Sequence, residues 1–122
     1  MNVERRRKRS NYRGLSLHYW LAAVAARTRA LAFVLADPSG LLIASSLRGP
    51  EAEELAAIVP LLHRDATAAL TEVKWRQMPI QVDQITIDGM PLLLCAVGDR
   101  PACHSAMEQA ADGVERILAA PA

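Results

Sequence analysis

Cysteine is scarce in this chain: 122 residues hold two, Cys95 inside an apolar run and Cys103 near the start of a helical pattern. Their spacing matches neither a zinc site nor a Cys-x-x-Cys redox pair, so both are expected to be buried thiols acting as small hydrophobes. There is no apolar run of about 18 residues and no apolar stretch beside the N-terminal basic residues. A membrane-spanning helix and a signal peptide are thereby excluded, and a cytoplasmic protein is expected. A Gly-x-x-x-x-Gly-Lys-Ser/Thr loop is missing too, so the chain has no such cradle for nucleotide phosphates. His63 invites a catalytic reading, but no orienting carboxylate and nucleophile can be assembled around it. Neighbouring Cys103 and His104 point in different directions on a helix and cannot work as nucleophile and base. These absences lead to the expectation of a non-enzymatic protein with no cofactor and no metal.

What is present is apolar bulk, at 52% of residues, in a length that suits one domain with a sizeable core. Charge is distributed unevenly. Up to Arg13 there are six basic residues and one acid, whereas the remainder carries eight basic residues against twelve acids, a net charge of −4. Residues 1–14, with Arg5-Arg6-Arg7-Lys8-Arg9, lack apolar periodicity and repel one another, so a disordered basic tail is expected, followed by a single domain over 15–120. Such a tail is either a solubilising arm or an electrostatic contact for nucleic acid, anionic lipid or an acidic protein face. Tyr12 is the one aromatic residue near it.

The strongest local pattern runs from Leu31 to Leu70. Leu31–Ala36 and Leu41–Ser46 read as strands flanking Asp37-Pro38-Ser39-Gly40, the residue order of a type I turn. From Pro50 the period becomes helical, with Leu55, Ile58, Val59, Leu62 and Ala66 on one stripe and Glu51, Glu53 and Glu54 in the first turn, where the helix dipole favours acids. Pro60 lies inside this helix, read as Pro50–Leu70, and should kink or split it. Upstream, Leu17, Trp20, Leu21 and Val24 share a face, so a first helix is expected over Leu17–Arg27, with Trp20 under the sheet.

Downstream, Thr71–Met78 reads as a short edge strand, which Pro79 either limits to an edge or ends. Ile80 and Val82, then Ile85 and Ile87, are out of phase, which points to a bulge or a join between strands at Asp83-Gln84. Asp88-Gly89 signals a hairpin, and the unbroken apolarity of Leu92–Val97 a central strand. A last helix over Cys103–Ala119 contains Gly113, which weakens it or lets it approach the sheet or first helix closely. The order helix, two strands, helix, three strands, helix predicts an α/β sandwich.

Val34–Ser46 together with Glu53-Glu54-Leu55-Ala56-Ala57 resembles the Roadblock/dynein-light-chain family, and with the element order the resemblance covers about Leu17–Leu118. It implies a profilin- or longin-like five-stranded antiparallel sheet with first and last helices on one face and the long helix on the other. It also implies a small bacterial adaptor of the MglB kind that pairs with itself and regulates a Ras-like GTPase. Residues matching the family's pairing regions are Leu55, Ile58, Val59 and Leu62 on the helix, and Val73 and Trp75 on the strand edge. The expected partner surface is the solvent side of the long helix, with Glu51, Glu54 and Arg64. The alternatives are a profilin-like sensor of a small molecule or signal, or a scaffold whose basic tail contacts nucleic acid or anionic lipid.

Overall fold

The structure, a computed structural model, describes residues 2–64, 74–75 and 77–119. The elements are α1 (Asn2–Arg27), β1 (Ala30–Ala36), β2 (Leu42–Ser45), α2 (Pro50–Arg64), β3 (Lys74–Trp75), β4 (Met78–Ile87), β5 (Met90–Gly98) and α3 (Arg100–Ala119). Four strands form an open antiparallel sheet in the order β2-β1-β5-β4, and the two-residue β3 pairs with the start of β4 to continue that edge. Among the described residues three helices pack on this sheet, which makes the chain an α/β fold.

Why the sheet takes this order is legible in its two middle strands. Phe33, Val34, Leu35, Leu94, Cys95, Ala96 and Val97 are fully buried, because alternate side chains enter opposite layers and both layers are apolar. On one side Phe33, Leu35, Leu94 and Ala96 pack with Leu17, Leu21 and Val24 of α1 and with Ala106, Ala110 and Val114 of α3. On the other, Ala32, Val34, Cys95 and Val97 pack with Leu55, Ala56, Val59 and Leu62 of α2. The two thiols therefore sit in different layers, Cys95 of β5 under α2 and Cys103 of α3 in the layer that α3 shares with α1.

The phase change in β4 is not a bulge. Its pairing with β5 runs without interruption from Ile80↔Val97 to Ile87↔Met90. Ile80 and Val82 face the α2 layer, whereas Ile85 and Ile87 face the α1/α3 layer. Each helix layer covers a different half of the strand, so the buried face switches while the backbone stays regular. Asp88 and Gly89 join β4 to β5 with φ of 52° and 79°, the two left-handed positions of a type I′ turn. Pro79, expected to end an edge strand, is instead the second residue of β4, opposite Lys74.

The three described helices each differ from expectation. α1 begins at Asn2 instead of Leu17, so residues 2–14 of the stretch read as a disordered tail are helical. Arg and Lys are good helix formers, and no proline or β-branched run separates them from the packed part, so adding turns to an existing helix needs no new nucleus. α2 continues through Pro60 without splitting and extends to Arg64. Residues 65–70 of the expected helix, and Val73, lie outside the described residues. α3 starts at Arg100, three residues earlier than read. Among the described residues, no helix is long and apolar enough to cross a membrane.

Candidate functional site

The surface to be tested for function is α2 with the β1–β2 turn beside it. Pro50 opens the helix and Glu51 and Glu53 sit in its first turn. One full turn of its circumference divides cleanly: Ala52, Leu55, Ala56, Val59 and Leu62 are buried, and Glu53, Glu54, Ala57, Leu61 and Arg64 are exposed. Leu61, at 62% exposure, is a large apolar side chain on that outer stripe. Ile58, Pro60 and Glu51 lie between the two faces, half-buried.

The turn is built by one carboxylate. Asp37 Oδ1 accepts hydrogen bonds from Ser39 N at 2.9 Å, Ser39 Oγ at 2.6 Å and Leu41 N at 3.0 Å, while Gly40 N donates to Asp37 O at 3.0 Å. These bonds favour the charged form, the Ser39 hydroxyl most, and hold the Asp37 carboxyl below its usual range. Gly40 has φ of 90°, and a Cβ placed there would lie 3.3 Å from Ala56 O, Ala57 Cα and Ala57 O. The turn thus rests on the backbone of α2. Ala56 O is the carbonyl four residues before Pro60, so it has no helical N–H donor, and the glycine lets the turn come close to that group. Leu41, the next residue, is 67% exposed.

The far end of β2 is tied off by two serines. Ser46 Oγ accepts from Phe33 N at 2.9 Å, Ser45 Oγ donates to Phe33 O at 3.0 Å, and Leu47 N donates to Ser45 Oγ at 2.8 Å. His18 Nδ1 of α1 bonds Ser45 O at 2.6 Å, so the ring covers a carbonyl of an edge strand that would otherwise face solvent.

Of the residues expected to pair two copies, Leu55, Val59 and Leu62 are buried in this chain's own core. An amphipathic helix on a sheet turns its richest apolar stripe inward, which leaves the opposite stripe exposed and Ile58 half-buried. Sequence reading missed Leu61 and Leu41; a leucine out of phase with the core stripe was the available signal. Trp75 belongs to β3, on the sheet's outer edge, and Val73 lies outside the described residues. Glu54 and Arg64 are exposed on α2 as expected, and Glu51 is half-buried.

The chemistry-bearing side chains are dispersed. His63 and His104 are exposed on different helices, and Cys103 is buried beside exposed His104. Burial pushes the Cys95 thiol up to about 12 and raises that of Cys103, which disfavours the reactive thiolate. Among the described residues, no three His, Cys, Asp or Glu side chains gather closely enough to hold a metal ion. No family model matches the chain, and no curated protein matches it.

Proposed function

We propose that this chain is a Roadblock-like adaptor that pairs with itself and binds a small Ras-like GTPase without catalysing a reaction of its own. One observation supports the reading above the others. Among the described residues, an antiparallel sheet carries α2 on one face and α1 and α3 on the other, which supports the arrangement of helices that the resemblance implies. The DPSG turn, the serine-tied end of β2 and the acidic first turn of α2, formed by the residues that carry the resemblance, support the same reading.

In this reading the outer stripe of α2 and the edge at β3 face a second copy or the GTPase. Leu61 offers an apolar anchor and Glu54 and Arg64 a charged rim, the composition of a modest protein contact. Charged rims act mainly on association rate and specificity. Titration calorimetry against the small GTPases of the same genome, each loaded with GTP analogue or GDP, tests the reading.

A further inference from the structure

We propose that α2 packs antiparallel on α2 of a second copy in one register, Ala57 against Leu61 and Glu54 against Arg64 of that copy. The inference rests on the reading above that the chain pairs with itself, and it assigns the contact by which it does so.

The outer stripe of α2 carries it. Glu54, Ala57, Leu61 and Arg64 are all exposed. At about 100° per residue they fall within about 80° of one another, on the face opposite the buried stripe. Their spacing of three, four and three residues is that of the seam between paired helices. Along the stripe the order is acid, small, large, base. A two-fold axis level with Val59 presents that order reversed as base, large, small, acid, so every position meets its complement. Leu61, 62% exposed, then packs where Ala57 of the second copy leaves room for a large side chain. The two carboxylate–guanidinium pairs close the ends of the seam, about 15 Å apart along the axis. The β1–β2 turn, which rests on the Ala57 backbone at Gly40, borders the position that receives the leucine.

Charge selects the occupant and its direction. Acids stand at the start of α2 and cations at its end, so an occupant of one sign, such as nucleic acid or an anionic membrane, is attracted at one end and repelled at the other. A second copy laid antiparallel is attracted at both, and the two helix dipoles oppose each other as well. Laid parallel, it sets Glu54 on Glu54 and Arg64 on Arg64, and leaves Ala57 facing Ala57 across a gap. The antiparallel contact is isologous, the same stripe on both copies, and it closes at two. The rim charges that tune GTPase association in the reading above are then set in place by the second copy.

The test uses the full chain in sedimentation equilibrium from about 1 to 100 μM, with circular dichroism on every variant. The native chain should be dimeric at the upper end. Glu54→Arg and Arg64→Glu each turn both ion pairs into like-charge pairs, so each should weaken self-association about tenfold or more while the circular dichroism stays native. An equimolar mixture of the two variants should recover native pairing, because one carries two arginines on the stripe and the other two glutamates. The double variant E54R/R64E should recover it within one chain. Added salt should weaken the native pair and the mixed pair, and strengthen self-association of each single variant. Native-like dimers of both single variants, or a mixture that associates no better than its components, overturn the register while self-pairing through another face stands. A native chain that stays monomeric at about 100 μM overturns the register and the self-pairing together, and leaves GTPase binding to the calorimetry.

Discussion

Trp20 and Gly113 are a matched pair. A Cβ at Gly113 would lie 2.0 Å from Trp20 Cε2 and Nε1, so the absent side chain is the space the indole fills between α1 and α3. The ring is held there by its bond to Ala110 O and by the guanidinium groups of Arg27 and Arg116, 5.2 and 5.5 Å from its centroid, a geometry favourable for cation–π attraction. Helix propensity alone would make Gly113→Ala favourable by about 1 kcal/mol. Displacing a packed ring costs about 1–3 kcal/mol, and losing its hydrogen bond about 1 more. Gly113→Ala should therefore destabilise by about 1–3 kcal/mol in urea unfolding; a gain in stability would show that the helices are not this close. Asp37 gives a second test at this scale. Its folded pKa lies below the ordinary value of 3.8, so its contribution is present above the unfolded pKa and is lost as pH falls through the folded one. Asp37→Asn should lower the melting temperature at pH 7, with the gap to the native chain narrowing below about pH 4. A gap that stays constant down to pH 2 would contradict that role.

At the scale of elements, α2 shows which part of the site was readable and which was not. Its start at Pro50 with acids in the first turn, and its core stripe of Leu55, Val59 and Leu62, were readable in the sequence. The period of a stripe says that a face is buried but not whether the chain itself or a partner covers it, and here the sheet covers it. The same ambiguity misled the reading of β4, where a switch between covering layers produced the phase change of a bulge. Trp20, expected under the sheet, stacks in the α1/α3 seam instead, because its position is set by a glycine ninety-three residues away that no local pattern could couple to it. Turns were the most legible elements: Asp37–Gly40 and Asp88-Gly89 form the bonds or left-handed angles their residues favour, since turn chemistry is local. The division of α2 into two stripes makes opposite predictions for its leucines. Leu55→Ala should cost about 2–4 kcal/mol of stability through the cavity it leaves. If the proposed pairing uses this stripe, Leu61→Glu should keep native circular dichroism while light scattering at tens of micromolar shifts from dimer to monomer mass, because charge would enter an apolar contact. A dimer that survives Leu61→Glu would remove the outer stripe of α2 from the pairing surface.

The whole molecule is polarised. Up to Arg13 six basic residues stand against one acid, beyond it eight against twelve acids, and α2, with exposed Leu61 between charged residues, lies on the sheet face opposite α1 and α3. Fold class and element order were legible because amphipathic periods and turn residues agree along the chain, the condition under which one sequence specifies one structure. Function was less legible, since a binding surface needs only a few exposed residues such as Leu61, Glu54 and Arg64, and their types recur on any solvated helix. The central claim is that this surface recognises a small GTPase. Titration calorimetry settles it with the native chain and the charge-reversed variant Glu54→Lys, each against the GTPases of the same genome in both nucleotide states. The account predicts that one GTPase binds the native chain more tightly than about 100 μM, equivalent to about 5.5 kcal/mol, and that Glu54→Lys weakens the binding most at low salt. Binding weaker than about 100 μM for every GTPase in both states would contradict it.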